Sequence, residues 1–143
     1  MNVPLSTASQ IIEEKGIYYF AQNVTIGRFD HMHICIKNKK GKHVYLSCCT
    51  SQVEKRLNFI RSRNLPISTL IEIRPDEKNA FRKNTYIDGN FIYTCSEEEF
   101  IENYKKGRIK YIGEISDEHY NLIVKGILDS TMIAEEDKKD ISE

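Results

Sequence analysis

The sequence predicts a mainly β domain, a small and strongly bent antiparallel sheet or barrel of five or six short strands, with one helix inserted after the third strand and another packed on the sheet near the end. Three observations lead there. Short runs rich in β-branched and aromatic residues alternate with a period of two. Turn chemistry separates them at Lys39-Lys40-Gly41-Lys42 and Asp88-Gly89-Asn90. The strand–helix–strand spacing of a parallel α/β chain is absent. A chain of 143 residues is one domain of ordinary size, able to bury roughly two-thirds of the surface its unfolded form exposes. The domain is expected over residues 1–133, followed by a charged, flexible tail over 134–143.

The elements follow in order. Residues 1–15 are weakly patterned, with a short helix expected through Ser9–Lys15 before Gly16. Ile17-Tyr-Tyr-Phe-Ala21 has strand composition. A polar loop with Gly27, Arg28 and Asp30 leads into His31-Met-His-Ile-Cys-Ile36, which a Gly-Lys turn joins to His43-Val-Tyr-Leu-Ser-Cys-Cys49 as a hairpin. From Gln52 the period changes: Val53, Leu57 and Ile60 recur at helical spacing among Lys55, Arg56, Arg61 and Arg63. Pro66 ends this basic helix, because proline lacks the N–H and disfavours helix in the residue before it. A strand over Thr69–Arg74 follows, then a polar loop, then Thr85–Ile87 and Phe91–Cys95 as a second hairpin around Asp-Gly. Ser96 before Glu97-Glu98-Glu99 caps a short helix, and Arg108–Ile112 reads as one more strand. Ser116 caps the last helix, whose expected buried stripe is Tyr120, Ile123, Val124, Ile127 and Leu128.

Formal charge is zero, yet it is unevenly placed. Residues 28–83 hold thirteen Lys and Arg against five Asp and Glu, and the remainder eight against sixteen. A basic patch attracts phosphates, whereas scattered charge merely solvates a surface. The four cysteines form no CxxC pair, and Cys48 and Cys49 point to opposite faces of one strand, so reduced thiols are expected. There is no basic start followed by an apolar block, and no run approaches the ~18 apolar residues of a membrane span. The expectation is a soluble cytoplasmic protein.

Candidate chemistry centres on His31–Gln52. Met32, Ile34 and Ile36 share one face of an extended strand, which puts His31 and His33 together on the other. Metal-free RNA cleavage needs a base for the ribose 2′-proton, a cation for the charge growing on phosphate and an acid for the leaving oxygen. His31 and His33 are candidates for base and acid, Arg28 for the cation, and Thr50 or Ser51 for a hydrogen-bond donor at the strand's end. Lys55, Arg56, Arg61 and Arg63 are candidates to line an RNA path, or equally to solvate an inserted helix. Tyr45, Tyr86 and Tyr93 suit either base stacking or a core. His31-x-His33 with Asp30 or Cys35 also admits a metal, though no further ligand follows at a recognisable spacing, so no cofactor is expected.

Tyr18-Tyr19-Phe20-Ala21, the loop into His31–Ile36, the strand ending in Thr50-Ser51-Gln52, Asn84-Thr-Tyr-Ile-Asp88 and the helix closing at Leu128-Asp-Ser130 together resemble the PemK/MazF-like toxins of bacterial toxin–antitoxin pairs. The resemblance covers about residues 17–130 through short motifs. It implies an SH3-like barrel acting as a homodimer, metal-independent cleavage of single-stranded RNA across a groove, and neutralisation by an antitoxin protein. In that family an arginine before the second strand works with a Thr or Ser ending the third. Thr50 and Ser51 match the second position. At the first, the strand opens on His31-Met32, and the nearest arginine is Arg28. The alternative is a non-catalytic barrel of the same architecture that binds a protein, such as gyrase or an antitoxin, or nucleic acid.

Overall fold

The computed structural model describes residues 11–21, 24, 26–28, 30–39 and 42–143. Among them lie strands β1 (Gly16–Phe20), β2 (His31–Lys39), β3 (His43–Thr50), β4 (Leu70–Ile73), β5 (Thr85–Asp88), β6 (Tyr93–Ser96) and β7 (Ile109–Glu114). The helices are α1 (Val53–Ser62), α2 (Glu97–Lys105), α3 (Asp117–Asp129) and α4 (Glu135–Ser142), with a 3-10 turn at Ile67–Thr69. The strands form one sheet in the order β4-β5-β3-β2-β1-β7, and β6 also pairs with β3. Every ladder is antiparallel. No ladder joins β4 to β7 among the described residues, so the sheet is open, and it has seven strands where five or six are expected.

Alternation along β1 and β2 supplies two cores, one on each face of the sheet. Ile17, Ile34 and Ile36 face a layer made with Ile123 and Ile127 of α3 and Ile141 of α4. Tyr18, Phe20 and Cys35 face the other way, onto Phe100 and Ile101 of α2. Each fully buried isoleucine contributes about 1.5–3 kcal/mol relative to exposure. Ser96 caps α2 with a complete capping box through Glu99, and Ser116 caps α3, as their sequences predict.

Several expectations need correction. The Asp88-Gly89-Asn90 segment is not a hairpin turn. β5 and β6 do not pair with each other; both lie on the same edge of β3, β5 beside Cys49 and Thr50 and β6 beside His43–Leu46. They run as one strand along β3, interrupted by residues 89–92. The reason is a polar cluster that the turn chemistry serves. Asn90, only 2 % exposed, donates through Nδ2 to Asp88 Oδ1 at 2.8 Å and to Thr69 Oγ1 at 2.9 Å, and accepts from Ser130 Oγ at 2.7 Å. Gly89 N–H donates to Thr69 O at 2.6 Å. A Cβ on Gly89 would stand 3.0 Å from the backbone of Gly126 and Ile127, so only glycine lets the segment close onto α3.

The segment 134–143 is likewise no frayed tail. It forms α4, seated by buried Ile141 and by Asp140, which accepts from Lys39 and Tyr45. Leu128 is exposed, and Gly126 takes its place against Ser68 and Ile71. The expected lead helix lies partly outside the described residues, and 12–15 turn rather than continue it. Residues 40 and 41 of the first hairpin also lie outside; its closure shows in Lys42 N–H donating to Lys39 O at 2.9 Å.

The Asn90 cluster generates a stability prediction. Asn90→Ala leaves buried Thr69, Asp88 and Ser130 without their shared partner, and is expected to cost roughly 2–4 kcal/mol. Urea unfolding followed by circular dichroism measures it; a loss below about 0.5 kcal/mol, ordinary for a surface change, would contradict the assignment.

Candidate functional site

A groove of about 900 Å³ opens along the C-terminal end of β3 and is walled from three sides. The loop before β2 and the first residues of that strand bring Arg28, Asp30, His31 and Met32. The end of β3 and the start of α1 bring Cys48 through Gln52, Lys55 and Arg56. The connection between β4 and β5 brings Ala80, Phe81, Arg82 and Lys83, with Asp88, Phe91 and Tyr93 beyond it. Arg28, His31, Thr50 and Ser51, picked out from the sequence, therefore share one cleft, as do Lys55 and Arg56. Arg61 and Arg63 do not: they lie exposed toward the far end of α1, Arg63 against the Phe59 ring.

His33 is the main correction. Its ring is buried, stacked on Phe20 with centroids 4.0 Å apart and edge-on to Tyr93. The period-2 pattern does separate it from Ile34, but α2 covers the opposite face of the sheet, so neither face of β2 is solvent. Met32, expected in the core, instead lies half-buried on the groove wall. His33 Nε2 accepts the backbone N–H of Arg28 at 3.1 Å, which leaves Nδ1 to carry the proton toward His31 O at 3.2 Å. Burial lowers its pKa from 6.5 to about 4. It is a neutral brace that ties the Arg28 loop to β2. Gly27 makes this possible: its φ is +63°, and a Cβ there would sit 2.8 Å from both His33 Nε2 and the Phe20 ring.

The other groups are set by their surroundings. Thr50 Oγ1 accepts the Gln52 N–H at 3.1 Å, so the hydroxyl keeps its own proton to donate. Burial pushes the Cys48 thiol up to about 11 even though Arg28 and Arg56 both pull it down, so it stays protonated and is no nucleophile near neutral pH. Asp30 accepts from the Tyr19 hydroxyl. Arg56 lies against Asp88 at 3.5 Å and near the rings of Phe59 and Phe91. Of the candidate tyrosines, Tyr93 lines the groove, whereas Tyr45 is buried and donates to Asp140. Among the described residues no group of three His, Cys, Asp or Glu is placed to hold a metal ion.

Sequence reasoning missed Arg82 and Lys83. Their loop is built on Asn79, fully buried, whose Nδ2 donates to Arg74 O at 2.8 Å and whose Oδ1 accepts from Asp76 and Phe81 N–H. The adjacent basic pair beside Phe81 was a visible signal, but nothing in its spacing says which wall it joins.

No family model matches this sequence, and no curated protein does. No helix among the described residues is long and apolar enough to cross a membrane.

The His33 environment predicts a pH dependence. Its folded pKa lies below the unfolded value, so stability is unaffected above pH 6.5 and falls as pH drops from 6.5 toward about 4, where the unfolded chain binds a proton that the native state refuses. The loss is roughly 3 kcal/mol at full extent. Unfolding free energies of wild type and His33→Asn across that range check it, since the variant should lack this slope.

Proposed function

We propose that the chain is the toxin component of a bacterial toxin–antitoxin system, a PemK/MazF-like endoribonuclease whose bent sheet corresponds to an SH3-like barrel. The observation that carries this reading is the convergence of Arg28, His31, Thr50 and Ser51 on one groove that Lys55, Arg56, Arg82 and Lys83 also line. These are the groups that phosphodiester cleavage without a bound metal requires, gathered where a polyanion would be drawn. A single-stranded RNA lies along the groove with its bases near Tyr93 and Phe91. His31 takes the 2′-hydroxyl proton, the 2′-oxygen bonds to phosphorus, and Arg28 and Thr50 stabilise the charge on the phosphate oxygens. The bond to the 5′-oxygen breaks and that oxygen takes a proton from water, leaving a 2′,3′-cyclic phosphate and a 5′-hydroxyl. An antitoxin protein with an acidic segment occupies the same groove, and the active form is a homodimer.

Purified protein is expected to cleave single-stranded RNA in excess chelator, with 5′-hydroxyl ends. His31→Gln should lower the rate ~10²-fold or more with RNA affinity nearly unchanged, because proton transfer acts in the transition state. Thr50→Val should also slow cleavage. With His33 buried, the pH–rate profile should show one ionisation rather than the bell of a two-histidine mechanism. No cleavage across a varied RNA pool, or full activity in the folded variants, would remove the ribonuclease reading and favour the binding-only barrel.

Placement also separates the basic residues. Lys55→Glu with Arg82→Glu should weaken RNA binding and flatten its salt dependence, whereas Arg61→Glu with Arg63→Glu should leave the slope nearly unchanged. Fluorescence anisotropy across a salt series checks both pairs.

A further inference from the structure

Arg56 is held more firmly than a solvated surface arginine needs to be. Its guanidinium pairs with Asp88 at 3.5 Å, and the Asp88 side chain is only 6 % exposed. The same group lies 5.6 Å from the Phe59 ring centre and 5.7 Å from that of Phe91, two rings 5.2 Å apart. Asp88 is itself fixed by the N–H and side-chain amide of Asn90. A partly buried ion pair of this kind brings little net stability, since both charges lose water. What it does bring is a guanidinium fixed in direction at the groove wall.

Across the floor stands Arg28. The buried His33 accepts its N–H, faces Cys48 across the β2–β3 ladder and touches Tyr93 edge-on, so Arg28 sits beside the same floor that Arg56 flanks. Cys48 and Tyr93 each feel both arginines, which oppose the rise that burial imposes on their pKa values. From this convergence we infer that Arg28 and Arg56 form a two-arginine seat for a tetrahedral phosphate oxyanion above Cys48 and Tyr93, with Asp88 as the positioning residue that aims Arg56. The inference deepens the ribonuclease reading by adding a second cation to its site, and rests on that reading only for the source of the phosphate.

Cys48 reports on the seat without any need for catalysis. Cys35, Cys49 and Cys95 are buried, while Cys48 is partly accessible. Slow iodoacetamide modification of Cys48 in the full chain at alkaline pH, where a small fraction of its raised thiol is ionised and reacts, is read by peptide mass spectrometry and compared with no addition, with inorganic phosphate, and with a 2′-O-methyl oligoribonucleotide that cannot be cleaved. Phosphate probes are expected to slow the modification. Protection by the oligonucleotide at far lower phosphate concentration assigns the seat to a nucleic-acid backbone, and equal protection assigns it to a free anion.

In Arg56→Met the protection should vanish, and oligonucleotide affinity should fall at least about tenfold, the loss of one charge-assisted contact. Asp88→Asn should weaken binding in the same direction, and combining it with Arg56→Met should add nothing further. Folding of each variant is checked by circular dichroism; should Asp88→Asn unfold, Arg56→Met and Arg56→Lys decide alone, the lysine restoring part of the affinity. A folded Arg56→Met protein with protection and affinity intact overturns the seat, as does the absence of protection by either probe. RNA that binds in this way but stays intact sinks the ribonuclease reading and leaves the seat standing.

Discussion

Thr69, Asp88, Asn90 and Ser130 satisfy one another in the middle of an interior otherwise rich in isoleucine. Asn90 uses both amide hydrogens and its carbonyl within the cluster, so removing any member strands a polar atom that water cannot reach. Three separate parts of the chain meet there: the turn before β4, the 88–92 segment and the C-terminal end of α3. Through Asp88 the cluster also reaches Arg56 and so the groove. The position of β5 and β6 on β3, the docking of α3 and the aim of a groove cation all follow from it.

The second constraint is that helices cover both faces of the sheet. A strand in that setting has no solvent side, and its alternation distinguishes two cores rather than inside from outside. His33 is therefore neutral and structural, holding the Arg28 loop against β2, while His31, at the strand's first position, stands at the groove. One imidazole of the His-x-His pair lines the groove and the other braces the loop before β2.

Charge is distributed by the same packing. The basic middle of the sequence does not form one patch. Lys37 and Lys39 are taken up by α4, through the Glu143 carbonyl and the Asp140 carboxylate, and Arg61 and Arg63 face solvent. Arg28, Lys55, Arg56, Arg82 and Lys83 are what remains at the groove. The acidic end of the chain thus pairs with Lys39 of the β2–β3 hairpin.

Local chemistry was legible in the sequence wherever neighbours along the chain decide the outcome. The caps at Ser96 and Ser116, the helix started by Val53 and stopped ahead of Asn64-Leu-Pro66, the β2–β3 hairpin and the placing of Thr50 and Ser51 at a strand's end all depend on hydrogen bonds and periodicity within a few residues. By the same measure Arg28, His31 and Thr50 were found as candidates because one loop, one strand start and one strand end carry them. Whether His33 is wet, whether Asp-Gly makes a hairpin or a buried interruption, whether 134–143 frays or docks, and which basic residues reach the groove are settled by partners far away in the chain. Phe20, Tyr93 and the Gly27–Arg28 loop enclose His33, Thr69 and Ser130 capture Asn90, Tyr45 and Lys39 hold Asp140, and Asn79 folds the loop that carries Arg82. Periodicity reports that a side chain has a face, and only tertiary packing decides what that face meets.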